Sequence, residues 1–96
     1  MYSIVRTKGF EKSYKKTKES GKLKQQAKES LVEVITLLAE GKKLPVIYRD
    51  HQLCGELREY RECHIKGDLL LVYTIHKKES LLVLVDMGSH SYLDLS

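Results

Sequence analysis

At 96 residues the chain can fill one hydrophobic core but not two, and its 42% apolar and 31% charged content exclude a disordered or fibrous protein. The formal net charge of +4 is uneven: residues 1–43 hold eleven Lys and Arg against five Asp and Glu, whereas residues 44–96 hold six against eight. The first half therefore offers a face to nucleic acid or to an acidic protein, or else a solvated lysine-rich helix surface.

In residues 2–6 Ser3 and Val5 alternate against Tyr2 and Ile4, which predicts a short edge strand. From about Gly9 the spacing turns helical, with Phe10 and Tyr14 four apart among lysines, until Ser20-Gly21 breaks it. That apolar stripe is thin, so the helix must lean on a partner. The second helix is marked by Leu23, Ala27, Leu31, Val34, Ile35 and Leu38 at a 3.6-residue period, and Gly41 and Pro45 end it. Two helices across a tight break predict an antiparallel hairpin.

A loop through residues 51–55 leads to three strands, predicted at 57–65, 69–76 and 81–86 and separated by the short turns 66–68 and 77–80. Such turns make the strands antiparallel neighbours. The unbroken apolar start of the third predicts burial on both faces and a central position. Met87-Gly88-Ser89 is expected to bend the chain, and residues 90–95 to form a last short segment. The fold class is α+β: a short N-terminal strand, then a two-helix antiparallel hairpin packed on a small antiparallel sheet, in one domain spanning residues 1–96.

Cys54 and Cys63 have neither metal-ligand spacing nor a disulfide framework and read as reduced thiols of a cytoplasmic protein. Arg6 and Lys8 interrupt any signal-like apolar region, and the longest apolar runs fall far short of the roughly 20 residues of a membrane span.

The chemistry is concentrated in residues 49–73, which carry His51, His64, Asp68 and three of the four arginines. Counting along the pleat from Leu57 puts Tyr60, Glu62, His64 and Lys66 on one face and Arg61, Cys63 and Ile65 on the other. Imidazole suits proton transfer near neutral pH. Splitting RNA by its own 2′-hydroxyl needs a base for that proton, an acid for the leaving 5′ oxygen, and cations for the phosphate. Two or three of His51, His64 and His90, a carboxylate such as Asp68, and arginines such as Arg61 supply those parts without any metal or other cofactor. Histidines of small domains are commonly surface residues, and His76 beside two lysines reads as one. A three-histidine zinc site is the other chemistry open to them, although no His-x-x-x-His pair is present.

Three ordered segments carry a family resemblance: Asp50-His51-Gln52-Leu53-Cys54-Gly55, then Arg61 through His64 and Asp68 to Tyr73, then Gly88-Ser89-His90. They resemble the YafQ-like branch of the RelE superfamily, ribosome-dependent mRNA interferase toxins of bacterial type II toxin–antitoxin pairs. The resemblance implies that His51, His64, Asp68 and His90 are the catalytic set; Arg58, Arg61 and Lys66 are the cations expected to contact the substrate. It also implies two partners, a cognate antitoxin and the ribosome with its mRNA, the latter docked through basic surface. Four positions depart from the family pattern. Asp86 stands where an arginine is usual and Asp94 where an aromatic is usual; Leu57 and Gly67 replace a tryptophan and a proline. A carboxylate near the scissile phosphate repels it, so the pattern also admits a catalytically weakened or inactive relative that keeps ribosome and antitoxin binding.

Overall fold

The apolar stripe of the second helix does what its period requires. In the computed structural model, which describes residues 1–89 and Leu93, α2 spans Gln25–Ala39 and buries Ala27, Leu31, Val34, Leu38 and Ala39. The preceding helix α1, Lys8–Glu19, buries only Phe10 and Ser13. Its Thr7 cap compensates for that thin stripe. Thr7 Oγ1 accepts from Phe10 N at 3.0 Å and donates to the carbonyl of Val85 at 2.7 Å, so one hydroxyl starts the helix and fastens it to the sheet.

Five strands form one sheet: β1 (Ser3–Arg6), β2 (His51–Gln52), β3 (Arg61–Lys66), β4 (Leu69–His76) and β5 (Leu81–Ser89), in the order β1-β5-β4-β3-β2. The predicted sheet was antiparallel throughout; the observed one is mixed, because β1 runs parallel to β5. The whole helical hairpin separates β1 from the other strands, which is the long excursion that a parallel neighbour needs. One core cluster joins both helices to Cys63, Ile65, Leu69, Leu71, Tyr73, Leu82, Leu84 and Met87. Within it α1 lies against β5 and α2 against β3, so each helix has the sheet as its partner.

Burial on both faces falls on β4, the middle strand, instead of β5, which lies between β1 and β4 and alternates. Three boundaries also differ from expectation. Residues 55–57 form a 3-10 turn, so β3 begins at Arg61; His51 and Gln52 pair as a strand; and Met87–Ser89 continue β5 opposite Leu69–Leu71 instead of bending away. The 90–95 segment falls outside the described residues apart from Leu93. The β3–β4 turn has Gly67 at φ +57, the left-handed position that favours glycine at the start of a two-residue hairpin turn.

Two β-bulges break the period of two, between His64 and Lys66 and between Val72 and Tyr73 opposite Val85. Beyond the first, Lys66 pairs with core-facing Leu69, so it leaves the face of Glu62 and His64 on which strict alternation had put it.

Leu71, fully buried on β4, sets a test of this packing. Leu71→Ala is expected to cost about 3 kcal/mol of unfolding free energy, while Val46→Ala, at an exposed position of the 46–48 turn, costs under about 0.5 kcal/mol. Urea denaturation of both variants measures the difference.

Candidate functional site

Because Cys63 and Ile65 point into the core beneath the helices, Glu62 and His64 face the other side of the sheet. The two-residue strand β2 pairs there, with His51 opposite Glu62. The rings of His51 and His64 come within 6.3 Å, centroid to centroid, tilted by 41°. His51 is held at both nitrogens: Nδ1 lies 2.8 Å from the carbonyl oxygen of Arg49 and Nε2 lies 3.4 Å from Glu62 Oε1. A carbonyl can only accept, so the first contact makes Nδ1 a donor and turns Nε2 toward Glu62 as the atom that could exchange a proton. Arg49 itself adopts a left-handed φ of 48°, the turn that brings His51 onto the sheet.

Glu62 was given no role in the sequence reading. Its side chain is only 5% exposed, and a carboxylate so buried requires a partner. The available signal was its place on the histidine face, two residues before His64, where a strand buried on both sides would otherwise carry an apolar residue.

A second polar group underlies the first. Asp50 accepts from Arg61 Nη2 at 2.8 Å and from Arg61 Nε at 3.3 Å, and it also takes the hydroxyl of Tyr73. The hydrogen bond to Asp50 raises the Arg61 pKa, and burial followed by Asp50 raises that of Tyr73. Burial, with Asp50 and Glu62 nearby, pushes the Cys63 thiol up to about 12. The Arg61 guanidinium is therefore engaged in fixing the residue next to His51.

The remaining expected residues are dispersed. Arg58 is exposed beside Glu56 and Glu59. Lys66 lies on the helix side, where Nζ donates to Gln26 Oε1 at 2.5 Å. Asp68 lines a cleft of about 480 Å³ there, between α1 and the β3–β4 turn. Asp86, displaced by the second bulge, accepts from Ser13 Oγ at 2.6 Å and from Met87 N at 2.8 Å. His90 and Asp94 lie outside the described residues, and His76 is exposed. Among the described residues no group of three or more His, Cys, Asp or Glu is arranged to hold a metal ion.

Comparison with known proteins gives one consistent answer. The model of a family described as the YafQ bacterial toxin of type II toxin–antitoxin systems matches residues 2–95. The mRNA interferase toxin YafQ of Escherichia coli K12 is 32% identical over 93 residues, covering 96% of this chain and 90% of that one. A metal-bound toxin from Helicobacter pylori superposes with a TM-score of 0.85 at 43% identity, over 97% of this chain and 99% of that one. The E. coli YafQ in a DinJ–YafQ complex superposes with a TM-score of 0.81 at 26% identity, over 97% and 98%.

The raised thiol has a consequence for stability. An unfolded Cys63 ionises near the usual 9.0, whereas the folded one keeps its proton to about 12. The contribution is intact below pH 9.0 and is lost as pH rises toward about 12. Cys63→Ala is expected to flatten the decline in stability between pH 9.0 and about 12 measured by urea unfolding.

Proposed function

The chain belongs to the YafQ family of bacterial type II toxin–antitoxin toxins, and from that premise we propose that it is an mRNA interferase, an endoribonuclease that cuts translated mRNA on the ribosome. The observation that carries the proposal is the His51–His64 pair, two imidazoles 6.3 Å apart on the sheet face that the helices leave open. A phosphoryl group between them would have its attacking and leaving oxygens within hydrogen-bond reach of different rings, about 2.6–3.2 Å. One group takes the proton of the 2′-hydroxyl, whose oxygen attacks phosphorus. The bond from phosphorus to the 5′ oxygen then breaks, and that oxygen receives a proton from the other group.

His90 and Asp68 enter the proposed set through the family resemblance, with Arg58, Arg61 and Lys66 as substrate contacts. Arg61 is assigned a further part, since its bridge to Asp50 steadies His51. The reaction needs no metal, and it takes place in the cytoplasm. The partner that restrains it is an antitoxin, as the DinJ complex of the E. coli relative supports. The test is cleavage of ribosome-bound mRNA by purified variants. His51→Ala and His64→Ala are each expected to lose about 10²–10⁴-fold in rate with an unchanged unfolding midpoint, and a chelator to have no effect. Full activity in both variants would remove the histidines from the mechanism.

Asp86 favours a second reading, a weakened nuclease, because it puts a carboxylate where an arginine would hold phosphate. Asp86→Asn keeps an acceptor for Ser13 while removing the charge. Faster cleavage by that variant would support the weakened enzyme; an unchanged rate would place Asp86 outside the reaction.

A further inference from the structure

The contact between His51 and Glu62 constrains where one proton can be. His51 Nδ1 lies 2.8 Å from the carbonyl oxygen of Arg49, which can only accept, so that nitrogen carries a hydrogen. A neutral ring has a single N–H, and its other nitrogen then presents a lone pair. That nitrogen, Nε2, lies 3.4 Å from Glu62 Oε1. With the ring neutral and Glu62 ionised, two acceptors would face each other. The Glu62 side chain is only 5% exposed, so water does little to relieve the opposition. A proton between the two atoms turns it into an attraction. Imidazole is ordinarily the stronger base of the two, so the proton belongs on Nε2.

The charged neighbours among the described residues are engaged elsewhere. Asp50, adjacent in the chain, is held by Arg61 and Tyr73, and Arg49 offers His51 its carbonyl while its side chain is exposed. Opposite Glu62 on β4 stands Val72, and beyond it on β5 Asp86, which accepts from Ser13 Oγ and Met87 N. On β3 itself His64 shares the face of Glu62, with its ring 6.3 Å from that of His51. Since His51 is half exposed and Glu62 buried, the ring can meet a substrate while the carboxylate acts through the ring.

We propose that Glu62 is a positioning residue that keeps a proton on His51 Nε2, so that His51 enters the reaction as its proton donor. The use of that proton rests on the interferase reading; its presence does not. As the bond from phosphorus to the 5′ oxygen breaks, that oxygen takes the proton from Nε2, and the ring is left neutral with its hydrogen on Nδ1. The proton of the attacking 2′-hydroxyl goes to a second group of the proposed set, His64 being the neighbouring ring. One proton leaves the site and one enters it, and exchange with water returns each group to its starting form.

The experiment is nitrogen NMR of the full chain carrying isotope-labelled histidine, at neutral pH and without RNA, with the His51 signals identified by their loss in His51→Gln. Both ring nitrogens of His51 are expected to carry hydrogen. In Glu62→Gln the side-chain amide can itself donate to Nε2, which satisfies the contact with no proton on the ring. That variant is expected to show an unprotonated Nε2 and an unchanged unfolding midpoint, with cleavage of ribosome-bound mRNA slowed at least about 10²-fold. A bare Nε2 in the parent chain overturns the proposal, as does a folded Glu62→Gln variant that keeps the proton or cleaves at the parent rate. Should the variant not fold, the parent spectrum decides alone. A protonated Nε2 in a chain that cleaves no mRNA would sink the interferase reading and leave the proton assignment standing; an active chain with a bare Nε2 would do the reverse.

Discussion

Leu70 and Leu71 are neighbours on β4 and point to opposite faces, yet neither is exposed. A strand buried on both sides obliges the sheet to be covered twice. The helical hairpin covers one face. On the other the cover is thin: Leu53, Leu57, Tyr60 and Leu93 gather around Val72 and Val85. Leu53 is buried there, and its amide donates to the carbonyl of Tyr60 at 3.0 Å, closing the 53–60 loop over the sheet. His51 lies two residues before Leu53, so the burial that completes the core also holds that histidine at the margin of the cover. The polar site is thereby coupled to apolar packing, and loosening the loop would displace His51 without touching it.

The sequence was most informative where period and burial agree. The helical stripe from Leu23 to Leu38 and the strand Leu69–His76 are legible because each spends its apolar residues on what it packs against. The bulges were not legible, since an extra residue in one strand is a property of the pair and leaves no mark on either strand alone. The parallel partnership of β1 was hidden for a similar reason: four residues exposed along their length contain no information about direction. The 3-10 turn at Gly55–Leu57 lay inside what looked like the start of a strand, because a left-handed Gly55 at φ +67 is decided by the chain closing on itself.

At the candidate site the residue types were legible and their partners were not. His51 and His64 stood out as imidazoles in a polar segment, and the pleat correctly put Glu62 beside His64. That Glu62 meets His51 depends on β2, a two-residue strand too short to register as a pattern. The Asp50–Arg61–Tyr73 group was equally hidden, because it joins a loop to two strands across separations of 11 and 23 residues. Arg61 read as a free cation from sequence because nothing local competes for it.

The distribution of charge bears on the proposed function. Beside the histidines Asp50 is paired with Arg61 and the Glu62 carboxylate lies 3.4 Å from His51, so that region offers a polyanion little net attraction. The positive excess belongs to residues 1–43, largely on and between the helices on the opposite side of the sheet. The molecule measures 37 × 28 × 28 Å, while salt screens exposed charges within about 8–10 Å, so those lysines cannot hold RNA at the histidines by field alone. A short RNA lying only on the histidine face would leave most of them unused, whereas an assembly broad enough to reach both sides would engage the lysines while presenting a strand to the imidazoles. Under the proposed function, affinity for a polyanion would come from one half of the chain and chemistry from the other.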